Sequence, residues 1–240
     1  NLHLVNQSGP KDIVLQEESS MNVKLIDFMG SDLSVVNAAR VSFSKESKLE
    51  WKEKEYSSTM YEQVLSDKDK KLIKYLAEHN HWSPFGHASV QLHVKAPVFV
   101  ARQLVKHQVG LVWNEVSRRY VNNEPEFYIP KVWRKKPEGS IKQGSSEETV
   151  EYDIAGTIEY TKQTYKNLLK EGIAPEMARM VLPQNMYTEW YWSGTLYAFA
   201  RVCELRCKDD SQRETRDIAW MIDKIVKKKF PVSWEALRTN

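Results

Sequence analysis

Cysteine is scarce in this chain: Cys203 and Cys207 are the only two among 240 residues. Four positions apart in a helical-looking stretch, they form neither a Cys-x-x-Cys redox motif nor a disulfide framework, and they read as reduced core thiols. They also lack any motif for a nucleophilic cysteine. Long apolar runs are missing. No segment reaches the ~18 consecutive apolar residues of a membrane span, and nothing resembles a secretory signal, so the expectation is a soluble, cytoplasmic protein without a membrane partner. Charge of one sign is missing too: 35 Lys and Arg oppose 32 Asp and Glu, a net of only +3, too little to imply nucleic-acid binding. There is no Gly-x-Gly-x-x-Gly, so a Rossmann dinucleotide site is unsupported. Gly139–Ser146 has P-loop glycine spacing but neither the Lys-Ser/Thr ending nor a preceding strand, and reads as a loop. His79, His81 and His87 lack the carboxylate or cysteine that would complete a known ligand spacing, so no metal site is expected.

What is present is an ordinary globular composition, 41% hydrophobic and 28% charged, with eight Trp, eleven Tyr and seven Phe. Residues 1–20 read as an N-terminal extension or leader and 21–240 as one α+β domain, a small, mainly antiparallel sheet flanked by helices. Ile13–Gln16 and Val23–Phe28 are strand-like and suggest a hairpin. Ser31 or Asp32 can cap a helix to about Ala39. Residues 44–66 read as loop with some helix, and Asp67 opens an amphipathic helix stopping near Asn80. Val90–Lys95 alternates like a half-buried strand. A helix is expected over Val98–Val109, between Pro97 at its start and Gly110 at its end. Lys131–Thr149 reads as a basic surface loop. Further helices are expected at Glu147–Glu171, Pro175–Leu182 and Ser193–Cys207. Ser211–Glu214 reads as a capping box for a last helix ending near Lys229, before Pro231. The aromatic run Tyr187–Trp192 reads as core or interface.

The chemistry concentrates in Ala101–Tyr120. On a helix, Arg102, Gln103, Lys106 and His107 recur at three- and four-residue steps and crowd one side. If the chain extends after Gly110, Glu115, Ser117 and Arg119 alternate onto one face. Cations, a hydroxyl, an amide and a carboxylate then converge around one turn, which is equipment for an anionic nucleotide. The plainer alternative is a solvated helix face beside a polar edge strand. Two rival functions remain: a non-redox nucleotide- or RNA-binding module using the basic 131–142 loop, and a metal-dependent nucleotide hydrolase using the histidines.

This stretch resembles the signature of the flavin-dependent thymidylate synthases, an Arg-His-Arg triplet followed by Asn-Glu-x-Ser-x-Arg-Tyr. Here it reads Lys106-His107-Gln108, then Asn114-Glu115-Val116-Ser117-Arg118-Arg119-Tyr120. Met29–Ser34, Ala38–Phe43, the His81–His87 turn, His93–Gln103, Ala178–Pro183 and Glu204–Arg206 are similar to further motifs of the family, in its order. The resemblance implies that Arg102, Gln103, Lys106, Glu115, Ser117, Arg118, Arg119 and Arg179 hold dUMP. It implies that Arg206 is the catalytic arginine, polarising the uracil ring. For FAD it points to Ser83, Lys106, His107, Gln108 and Glu115. NADPH and methylenetetrahydrofolate are the implied co-substrates, with no cysteine nucleophile. A homotetramer with active sites shared between subunits is implied as well. The chain departs from the pattern at Lys106 and Gln108, at an extra residue before Asn114, and at the Asn-x-Arg expected near Thr195-Leu196-Tyr197. Arg201, one helical turn later, is the expected replacement for that lost flavin contact.

Overall fold

Alternation along Val90–Lys95 sets the middle of the protein. The computed structural model describes residues 21–55, 57–121, 123–139 and 144–239. Its strands are β1 (Asn22–Met29), β2 (Glu50–Lys54), β3 (Ser57–Val64), β4 (Ser89–Pro97), β5 (Leu111–Glu115), β6 (Trp133–Arg134), β7 (Thr149–Val150) and β8 (Tyr187–Thr195). β1, β4, β8 and β5 form, in that order, one antiparallel sheet. Val90, Leu92 and Val94 of β4 are buried while Gln91, His93 and Lys95 are half-exposed, the two-residue period the sequence carries. The helices are α1 (Asp32–Arg40), α2 (Asp67–Glu78), α3 (Val98–Leu104), α4 (Ala155–Lys170), α5 (Pro175–Ala178), α6 (Leu196–Arg206), α7 (Arg213–Lys229) and α8 (Pro231–Arg238). One core cluster runs from the inner sheet face through α1, α2, α3, α6, α7 and α8, around Phe85, Trp190, Trp192, Phe199, Phe230 and Trp234. This is the expected α+β arrangement, a small antiparallel sheet flanked by helices.

Several expectations change. β1 pairs with β4, and Ile13–Gln16 lies outside the described residues. Segment 44–66 contains the β2–β3 hairpin, not helix. β2 is exposed along its whole length, so it has no core face and hence no period to read. Ser193–Thr195 ends β8 instead of starting a helix; Thr195 then caps α6, its hydroxyl accepting from the Ala198 N–H at 3.2 Å. Two buried tryptophans two residues apart, Trp190 and Trp192, fit a strand facing the core. Residues 149–150 pair with 133–134, so the basic loop holds a short ladder and α4 starts eight residues later than expected. Helix α3 stops at Leu104, and 105–109 form turns up to Gly110. No capping box opens α7. Gln212, not Ser211, is its N-cap residue, with no side-chain cap bond; Ser211 Oγ caps nothing, and Glu214 is committed to Arg134. Pro231 begins α8 instead of merely ending α7. The first turn of α8 is capped from far away, the Asp32 carboxylate accepting from the Val232 and Ser233 N–H groups at 3.0 and 2.9 Å.

Candidate active site

Helix α3 buries Val100, Ala101 and Leu104, leaves Arg102 exposed and holds Gln103 half-buried, with exposed Lys106 just beyond its end. Beyond it the chain must reverse into β5, and Gly110 does so at φ +76°, a conformation costly for a residue with a Cβ. A Cβ there would also meet Ala198 Cβ at 3.1 Å. The opposing residue is as constrained: a Cβ on Gly194 would fall 2.6 Å from the Gly110 carbonyl oxygen and 2.4 Å from Leu111 Cδ2. Gly194→Ala is therefore expected to push the Gly110 turn outward and destabilise the fold by about 1–3 kcal/mol. Equilibrium urea unfolding checks this; an unchanged midpoint would show that the turn yields freely.

Around this turn Arg206, the last residue of α6, meets the end of α3. Arg206 Nε donates to His107 Nε2 at 3.0 Å and Arg206 Nη2 donates to the Gln103 carbonyl at 3.1 Å. Neither Glu204 nor Asp210 pairs with it among the described residues. Burial, then the cations Arg206 and Arg201, hold the His107 ring below its usual protonation range. A neutral ring accepting at Nε2 carries its proton on Nδ1. Burial also lowers Arg206, which nonetheless stays a cation at neutral pH. The Gln103 side chain is clamped: its Nε2 donates to Gln212 Oε1 at 2.6 Å, and Thr215 Oγ1 donates to its Oε1 at 3.1 Å. Gln212 Nε2 in turn donates to Glu214 Oε2 at 3.1 Å, and Arg134 Nη2 bridges both Glu214 oxygens at 2.8 and 2.9 Å. Lys106, Gln108 and Arg201 are exposed beside the turn. Ser83 is exposed at the head of a 3-10 turn (Ser83–His87), next to Trp82, whose ring lies 6.3 Å from that of Tyr197 on α6.

The second group gathers at the far end of β5, ~13 Å from the turn by strand rise. Glu115 Oε1 accepts from Thr188 Oγ1 at 2.8 Å and Oε2 from Trp113 Nε1 at 3.1 Å. Glu115, Arg118 and Arg179 line a cavity of about 270 Å³ with Gln184 and Tyr187. Arg118 donates through Nη1 to the Asn123 carbonyl. Arg179 Nε donates to the Glu176 carbonyl at 3.3 Å, and no carboxylate pairs with it among the described residues. The expected alternation of Glu115, Ser117 and Arg119 on one strand face does not occur. β5 ends at Glu115, and the chain turns, with the Tyr120 N–H bonded to the Ser117 carbonyl at 3.0 Å. Ser117 Oγ accepts from the Arg119 N–H at 3.3 Å, and the Arg119 guanidinium lies 5.0 Å from the Tyr120 ring centre. One chain thus brings Gln103, His107 and Arg206 into contact and Glu115, Arg118 and Arg179 into another pocket, but does not join the two. Sequence reasoning missed Thr188, Trp113, Gln212, Thr215, Arg134 and Glu214 as supports. Only Gln212 and Glu214 carried a signal, lying in the Ser211–Glu214 stretch read as a capping box.

Comparison with known proteins identifies the family. The family model described as thymidylate synthase complementing protein matches residues 24–232. The chain is 40% identical over 222 residues to a flavin-dependent thymidylate synthase of Kosmotoga olearia, covering 89% of this chain and 88% of that protein. It is 39% identical to one from Thermus thermophilus, covering 91% and 76%. Among solved structures, a UMP/dUMP methylase, PolB, from Streptomyces cacaoi bound with 5-Br dUMP superposes with a TM-score of 0.73 at 30% identity, covering 91% of this chain and 95% of that one. The chain belongs to the flavin-dependent thymidylate synthase family. No helix among the described residues is long and apolar enough to cross a membrane.

Proposed function

We propose that the protein makes dTMP from dUMP, with FAD as cofactor, methylenetetrahydrofolate as carbon donor and NADPH as reductant. The observation that carries this reading is the Arg206 guanidinium, half-buried and fixed by His107 Nε2 and the Gln103 carbonyl, at the position to which the resemblance assigns contact with the uracil ring. A fixed cation beside an imide nitrogen lowers the cost of its anion and makes ring carbon 5 more nucleophilic. Arg179 and Arg118, with Ser117 and Arg119 in the following turn, hold the phosphate, where guanidinium and backbone donors suit an oxyanion. Glu115, already fixed by two donors, orients the sugar or base.

The residues beside the turn suit FAD. A neutral His107 ring can stack or hydrogen-bond with a flavin, and the exposed cations Lys106 and Arg201 suit a pyrophosphate. Bound FAD would supply the hydride for the final reduction; the protein's groups bind, orient and polarise. Arg201→Ala is expected to weaken flavin binding at least about tenfold, the loss of one charged hydrogen bond, in a fluorescence titration; unchanged affinity would remove Arg201 from the site. The proposed route uses no cysteine nucleophile: Cys203 is fully buried, which pushes its thiol well up, and Cys207, facing it, is only 9% exposed.

Each active site is assembled from more than one subunit of a homotetramer, as the family resemblance implies; within one chain the two groups of site residues sit at opposite ends of β5, a strand ~13 Å long. Exposed Val112, Val116, Tyr120 and Met180 near the second group suit such packing. A module that binds RNA through the basic loop is less favoured, because Lys135 pairs with Glu148 and Arg134 with Glu214. The deciding experiment is tritium release from dUMP labelled at ring carbon 5, with NADPH and methylenetetrahydrofolate. Flavin-loaded protein that releases none would end the proposal, and a parallel assay with UMP defines the sugar preference.

A further inference from the structure

We propose that Cys203, Cys207 and Asp223 form a binding site for a thiophilic divalent cation of the zinc type, clamping the C-terminal end of α6 to α7. The two sulfurs and a carboxylate oxygen all lie within 4.8 Å of one another. A tetrahedral zinc at ~2.3 Å from sulfur and ~2.1 Å from oxygen sets its ligand atoms ~3.5–3.8 Å apart, so closure takes a shift of about 1 Å. Thiolates select this class of ion over magnesium or calcium. The site is largely shielded, open only on the side of Cys207 and Asp223, where one water would complete the tetrahedron: Cys203 is 0% and Cys207 9% exposed, and the Asp223 side chain 14%.

The spacing favours a metal over a disulfide. Residues four apart on a helix hold their Cβ atoms ~5–6 Å apart, whereas a disulfide needs ~3.5–4.5 Å. A bridging ion needs no such approach.

The surroundings of Asp223 resemble an outer ligand shell. Its Oδ1 accepts from Trp234 Nε1 at 3.1 Å and Arg238 Nε at 2.8 Å, which fixes the carboxylate and leaves Oδ2 for an ion. The Arg238 cation also stands beside the Cys207 sulfur. Two thiolates and one carboxylate, −3, balance a divalent ion and the Arg238 guanidinium, +3, so the filled site is neutral, as burial requires. Binding releases both thiol protons to solvent. The plainer reading, two protonated core thiols beside an Asp–Arg pair, is neutral as well, and experiment separates the two. Cys207 directly follows Arg206, so a bound ion would stiffen the helix end that carries the candidate catalytic arginine, yet the site stands independently of the proposed function.

The test uses the full chain, reduced, equilibrated with zinc and freed of excess metal by gel filtration. Elemental analysis is expected to find a single zinc per chain, lost in Cys203→Ala and Cys207→Ala, weakened at least about tenfold in Asp223→Asn and kept in His79→Gln. Zinc retained equally by the double cysteine variant would overturn the proposal. Should the alanine variants not fold, cadmium titration of the wild type decides: a thiolate-to-cadmium absorption saturating at one equivalent supports the site, and its absence overturns it.

Discussion

Replacing Arg206 by Ala is expected to lower kcat for dTMP formation by about 100-fold or more, the scale of losing one fixed donor aimed at developing charge, while flavin stays bound. Nothing nearby can replace the lost cation. Arg201 is exposed, and His107 is held neutral by burial and by two arginines. Lys at position 206 should rescue little. One ammonium cannot repeat the paired geometry, in which Nε reaches His107 and Nη2 reaches the Gln103 carbonyl, and a point charge lacks the planar fork. Separate kcat and KM values make the measurement informative. A role confined to dUMP affinity raises KM with kcat intact, and retained kcat would remove Arg206 from the chemistry.

Glu214→Ala carries the largest expected cost to stability, about 3–5 kcal/mol at neutral pH. The Glu214 side chain is 5% exposed and accepts from both Arg134 contacts, Gln212 Nε2 and Tyr128 OH. Removing it strands a guanidinium, an amide and a phenol, and it loosens the Gln212 clamp on Gln103. The same carboxylate makes stability depend on pH. Burial alone would raise its protonation range, but the Arg134 pairing and the other bonds outweigh it and hold it below the ordinary 4.5. A depressed folded value means its contribution is complete above pH ~4.5 and fades as pH falls through the folded value. Asp69, bonded to Arg40, Ser47 and Ser66, is lowered in the same sense. Urea unfolding at pH 7 and pH 4 should show the gap between wild type and Glu214→Gln narrowing in acid. A gap of equal size at both pH values would contradict the assignment.

Elements with one apolar face and a terminal signal were legible in the sequence: β4, α2 from Asp67, the Gly110 turn and the end of α4 near Gly172. β2 and β3 were not, because β2 is exposed throughout and makes no alternating pattern. β8 was misplaced because Ser193–Thr195 reads equally well as strand end or helix start until its partners β4 and β5 are known. At the candidate site, residue identity pointed to Arg206, His107 and Gln103 without revealing that they touch. The Thr188 bond to Glu115 and the clamp on Gln103 join residues far apart in the chain, and no local pattern encodes such contacts.

The Asp32 cap on α8, across 200 residues, bears on how the chain is made. During synthesis β1 and β4 can pair early, yet β8, which joins β5 to them, leaves the ribosome late, and the partner of Asp32 later still. The core closes only once α8 has emerged, so folding is dominated by long-range pairings and correspondingly slow.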